Sequence, residues 1–221
     1  MSHSPRQYFV VVFLTDIDGN IHTRLIRQIN KMSKETFNRK HKELDIQSAG
    51  ELFKKIRDIP YALGEDGDIE GLLRDGKGGC ARKHLYLLPR LQQLGYEVDI
   101  GIAQFDWRDL PIPKEILVLL KQPIQHHMFL YVGINSANIE IDATWDSGMK
   151  ELGFPILNWD GVSPTGISVE GKNPRKQNLN VLKARSFISS SLQTFVKREN
   201  EPTPFNDAFN EWMVDNRLNT Y

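Results

Sequence analysis

The stretch that decides the fold runs from Gly76 to Gly95: Gly76-Lys77-Gly78-Gly79-Cys80-Ala81-Arg82-Lys83-His84-Leu85-Tyr86-Leu87-Leu88-Pro89-Arg90-Leu91-Gln92-Gln93-Leu94-Gly95. Leu85, Leu88, Leu91 and Leu94 recur at helical spacing and Gly95 supplies a C-terminal cap, so a helix of about four turns is predicted to start at Cys80. Pro89 lies inside it and removes one backbone donor, which predicts a kink. A helix N-terminus carries unsatisfied amides that stabilise a thiolate and offer donors to a developing oxyanion. Gly76, Gly78 and Gly79 have no side chains and leave room for a substrate backbone beside the thiol. Cys80 is the only cysteine, which excludes an intramolecular disulfide and a multi-cysteine zinc site. A lone cysteine is most often a small buried hydrophobe, so a chemical role requires partners that converge on it.

Working outward, Ser48 is placed to cap a helix with Leu52, Phe53, Ile56 and Ile59 at helical spacing, and Pro60 is its natural stop. The six glycines between Gly64 and Gly79 predict a long loop with one short helical turn around Leu72. On the other side, Glu97 to Phe105 reads as a strand. Asp106 to Gln125 reads as a Pro-punctuated insertion with a short apolar helix over Ile116 to Leu120. His127 to Ile134 and Asn138 to Thr144 read as two further strands. Beyond Trp145 the chain is rich in Gly and Pro up to Pro174, and helical patterns follow at Val181 to Lys197 and Phe205 to Arg217. At the other end, Tyr8 to Leu14, a turn at Asp18-Gly19-Asn20 and Ile21 to Ile29 suggest a hairpin or a strand and helix, with a charged linker or surface helix from Lys31 to Asp45. Helices early and late around an antiparallel meander make an α+β fold. The expected organisation is an N-terminal extension over 1–45, a core over 46–160, and a helical C-terminal extension over 161–221 packed on that core.

The partners of Cys80 come from the meander. If residues 127–134 and 138–144 form a hairpin closed by a two-residue turn at Asn135-Ser136, Asp142 lies opposite Phe129 and on the face of His127. The same parity turns His126 to the other face. A carboxylate is then placed to orient one imidazole and not its neighbour.

These motifs in this order resemble the transglutaminase-like superfamily of cysteine enzymes over roughly residues 50–150. The resemblance is carried by Ile59-Pro60-Tyr61, Gly78-Gly79-Cys80, Leu94-Gly95-Tyr96, His127-Met128-Phe129 and Asp142-Ala143-Thr144-Trp145. It implies a papain-like core in which the nucleophile helix packs on a small antiparallel sheet. It also implies Cys80 as nucleophile, His127 as base and Asp142 as the orienting carboxylate, with Gly78, Gly79 and Trp145 expected beside the substrate. The expected activity is acyl transfer on a peptide, protein or small amide, by hydrolysis or transglutaminase-type transfer, without cofactor or metal. Residues 106–125 match nothing in the pattern, and 1–45 and 150–221 lie outside it, so substrate choice is expected there. Arylamine N-acetyltransferases are similar but need an Arg before the glycines and a residue between Gly and Cys, where this chain has Lys77 directly before Gly78-Gly79-Cys80. An Asp142→Asn exchange is expected to keep the fold and lower the rate.

Composition limits the alternatives. Lys plus Arg and Asp plus Glu each total 28, so no global positive field draws nucleic acid. At 40% hydrophobic and 25% charged the chain is too apolar for general disorder. Tyr8 to Leu14 is far short of the roughly 20 residues of a membrane span and lacks a cleavage site, so no membrane partner and a cytoplasmic location are expected. Asp16-Ile17-Asp18-Gly19-Asn20 could hold Mg²⁺ in a phosphatase, although an Asp-Gly turn explains the same residues. Cys80 and His84, four apart, with His126 or His127, form an incomplete metal set. Lys114 to Lys121 is too short for a membrane-surface helix. The Phe205, Phe209, Trp212 and Met213 stripe reads as core packing. A catalytically inert binding module of the same fold is the remaining class.

Overall fold

The computed structural model describes residues 44–64, 69–177 and 203–217. Contacts divide the chain into Met1–Lys42 and Glu43–Tyr221, and the described residues all belong to the second unit. The expectations for residues 1–43, including the Asp16 and Asp18 loop, and for Val181 to Lys197 lie outside the described residues.

The elements are α1 (Leu44–Arg57), α2 (Leu72–Asp75), α3 (Cys80–Gln93), β1 (Glu97–Asp106), α4 (Lys114–Leu117), β2 (Ile124–Ile134), β3 (Ala137–Ile141), β4 (Lys172–Gln177) and α5 (Pro204–Asn216). Short 3₁₀ helices occupy Trp107–Asp109 and Ser147–Leu152. The fold is α+β, with one antiparallel sheet in the order β3-β2-β1-β4.

Helix α1 buries Ala49, Phe53 and Ile56, spaced four and three apart, and α3 packs against it. Ser48 is not its cap. The helix already runs from Leu44, and Ser48 sits exposed within it, where a small polar residue is tolerated on a solvent-facing turn. The predicted short turn in the glycine loop is α2, closed by Gly76 at φ +65°.

Helix α3 begins at Cys80 and continues through Pro89 to Gln93. Gly95, at φ +91°, donates to the Gln92 carbonyl while Tyr96 donates to Leu91, turning the chain into β1. Its inward stripe is not the every-third-residue leucine run. Leu87 and Leu91 are fully buried while Leu85 and Leu94 are half-buried, because neighbours on a 3.6-residue helix alternate between three and four apart.

Asn135 (φ +49°) and Ser136 (φ +67°) form the two-residue turn between β2 and β3, with Ile134 paired to Ala137 and Leu130 to Ile141. Two consecutive left-handed residues match the right-handed twist of the strands they join. The insertion between β1 and β2 is closed at its base by Trp107 N–H on the Pro123 carbonyl. Its short helix spans Lys114–Leu117, earlier than Ile116 to Leu120. Trp107 packs on Phe205 and Phe209 of α5, and Phe205, Phe209 and Met213 are buried, as the stripe predicts. Asn210 ties α5 down by accepting from Leu63 N–H and donating to the Leu63 carbonyl.

Strand β4 was not expected from the sequence. Lys-Asn-Pro-Arg-Lys-Gln has no alternating apolar face, contains a proline, and among the described residues forms an exposed sheet edge paired only with β1. Charge and proline are common on edge strands, where they discourage pairing with other chains.

Candidate active site

Cys80 is the first residue of α3, after Gly79 in extended conformation (φ −75°, ψ 178°), and no acidic residue lies in the first turn. The positive end of the helix dipole is therefore uncompensated beside the thiol. Gly78 N–H donates to the Pro60 carbonyl, joining this entry to the segment after α1. A Cβ on Gly78 would meet Leu72 Cδ1 at 2.8 Å and Arg82 Cδ at 3.2 Å, and one on Gly79 would meet the Ala62 carbonyl at 3.3 Å. The glycines let the chain pass against its own interior. Arg82 secures the loop by pairing with Asp75 and donating to the Lys77 carbonyl.

His127 is 2% exposed while His126 faces solvent, so strand parity separates the two. The register that pairs Leu130 with Ile141 carries Asp142 opposite Phe129, on the face of His127. His127 Nε2 donates to Asp142 Oδ2 at 2.6 Å, so in the neutral ring the lone pair lies on Nδ1. The Asp142 carboxylate accepts five hydrogen bonds: from His127, from Ser168 N–H and Oγ, and from Thr144 N–H and Oγ1. Burial raises its pKa, but the His127 charge and hydrogen bond, the His84 charge and the Thr144 bond outweigh that and hold the carboxyl well below the usual carboxylate range.

Ser168 and Thr165 complete the surroundings of Asp142 without a sequence motif that marks them. Thr165 Oγ1 accepts from Asp142 N–H, and Ser168 also receives Trp145 Nε1–H on its carbonyl. This irregular segment clasps the end of β3 from a distance of more than 20 residues, with no periodic pattern to announce it.

His84, four residues beyond Cys80 on the same helix face, is fully buried. Its Nδ1 lies 2.8 Å from the Cys80 carbonyl and its Nε2 accepts from Ala143 N–H at 2.8 Å. Nε2 is also 3.5 Å from Asp142 Oδ1, and the ring sits edge-on to His127 with centroids 6.4 Å apart. The helix face that carries His84 therefore meets the His127–Asp142 pair. Both His84 nitrogens are engaged with backbone, so the residue does not present a lone pair to a metal. Desolvation pushes its pKa down to about 4 against the pull of Asp142, with His127 pushing the same way as burial.

Lys83 is also fully buried, and donates to the Arg57 carbonyl at 2.9 Å and the Thr144 carbonyl at 2.8 Å. Desolvation lowers its pKa to about 7. Thus one turn of α3 grips the end of α1 and the strand end that carries Asp142.

A pH prediction follows from His84. Its folded pKa is depressed, so above pH 6.5 it costs nothing, and as pH falls the unfolded chain takes the proton first. Unfolding free energy should drop by about 3 kcal/mol between pH 6.5 and about 4, as read by urea denaturation, with the drop absent in His84→Gln. Asp142 acts in a separate window, since its contribution is present above the unfolded carboxyl pKa and is lost only below it.

Trp145 is 2% exposed, packed on Tyr61 and Phe154 with ring centroids 4.5 Å away in each case. It is thus core-packed in this structure, and Gly78 is likewise buried. Among the described residues, no helix is long and apolar enough to cross a membrane. Comparisons with models of known protein families, with curated proteins and with solved structures found no match to this chain.

Proposed function

We propose that this chain is a cysteine-dependent acyl-transfer enzyme on a transglutaminase-like, papain-like core, with Cys80 as nucleophile, His127 as base and Asp142 as orienting carboxylate. The observation that carries the reading is the buried His127–Asp142 hydrogen bond, set against the face of the helix that Cys80 begins. Such a bond fixes the imidazole tautomer with Nε2–H on the carboxylate. Nδ1 then takes the Cys80 proton, and the thiolate attacks an acyl carbon. The first-turn amides of α3, which Cys80 begins, would serve as donors to the oxyanion that forms. As the tetrahedral species collapses, the C–N bond breaks, the amine leaves with the proton held by His127, and a thioester remains on Cys80. Water or a second amine, deprotonated by the same imidazole, resolves it.

The test is intact-mass measurement of the full chain after incubation with a panel of peptides and small acyl donors. The reading predicts an acyl adduct on Cys80 that is absent in Cys80→Ala, with the variant's stability nearly unchanged. No adduct from any donor, together with several kcal/mol lost in Cys80→Ala, would instead assign Cys80 to core packing in an inert binding module.

A further inference from the structure

The acyl-transfer reading uses Cys80, His127 and Asp142 and leaves His84 without a task. Its environment is unusual. The Cys80 carbonyl can only accept and the Ala143 N–H can only donate, so the imidazole must carry its proton on Nδ1 and a lone pair on Nε2. The partners at both ends demand the same neutral tautomer. One bond reaches the peptide of the nucleophile and the other reaches the peptide after the orienting aspartate, 59 residues further along the chain.

We propose that His84 is a positioning residue which, as the neutral Nδ1–H tautomer, ties the peptide of Cys80 to the Asp142–Ala143 peptide and so holds the thiol in register with the His127–Asp142 pair. This rests on the acyl-transfer reading, since without it there is no nucleophile to align. The groups that face His84 are Asp142 after β3, His127 on β2, and Cys80 and Lys83 on its own helix. A proton on Nε2 would face the Ala143 N–H and turn toward the Asp142 carboxylate, exchanging the tie for a competing partner of the carboxylate. The depressed pKa of His84 keeps that proton away down to about pH 4.

The experiment measures Cys80 alkylation by iodoacetamide from pH 4 to 9 in the full chain and in three variants. His84→Phe removes both bonds at similar volume, while His84→Gln can restore an acceptor toward Ala143 and His84→Asn a donor toward Cys80. His84→Phe should slow alkylation at pH 6 about 10- to 100-fold and move the profile toward that of a free thiol. At least one amide variant should recover part of the loss. If His84→Phe does not fold, the two amide variants decide by the same profile. Variants that lose stability while their profiles overlay the original would overturn the positioning role and leave the triad standing. A free-thiol profile in the unmodified chain would defeat both readings, which separates the two failures.

Discussion

Replacing His127 with alanine is expected to slow formation of the Cys80 acyl adduct by about 10²- to 10⁴-fold, the usual worth of a positioned general base. The same change at His126 is expected to leave it within about two-fold, the size of effect an exposed residue with no catalytic contact produces. The contrast follows from strand parity: His127 is buried against Asp142 and Phe105, while His126 opposes Gln104 in solvent. Adduct kinetics by mass spectrometry check both. Equal losses from the two variants would mean that the β2–β3 register does not govern the chemistry.

The second large effect concerns Asp142. Asp142→Ala strands the donors of His127, Ser168 and Thr144 in a buried site, and a loss of about 3–5 kcal/mol in unfolding free energy is expected, together with loss of adduct formation. For Asp142→Asn, expected to keep the fold and lower the rate, the hydrogen bonds add a cost in stability. Oδ2 receives the Ser168 N–H and Oδ1 receives the Thr144 N–H, so either orientation of an amide sets its NH₂ against a backbone donor. Asp142→Asn is therefore expected to lose about 1–3 kcal/mol of stability, measured by urea titration, in addition to rate. An asparagine variant as stable as the original would show that the carboxylate's hydrogen bonds are not what holds this corner.

Much of the His127–Asp142 arrangement was legible because local chemistry encodes it. A two-residue turn fixes register, register fixes parity, and parity brings Asp142 to the face of His127. Helix α3 was legible from its leucines and Gly95, which act within a few residues of one another. Lys83 and His84 were not legible, because binary patterning assigns charged and polar residues to a helix surface. Here they turn inward because carbonyls of Arg57 and Thr144 and the peptide of Ala143 wait for them. Ser168 was hidden for a different reason: an irregular segment carries no period, so the position that touches Asp142 has no signature. Strand β4 was hidden by its own edge chemistry.

The pH dependence of Cys80 alkylation by iodoacetamide in the native chain tests the central claim most directly. A thiol at a helix N-terminus beside an oriented imidazole should form its thiolate well below the free-thiol value of about 8.5 and react rapidly at neutral pH. In His127→Ala the profile should move back toward that of the denatured chain. A native profile that rises only near pH 8.5, and overlays both the denatured chain and His127→Ala, would contradict an activated Cys80.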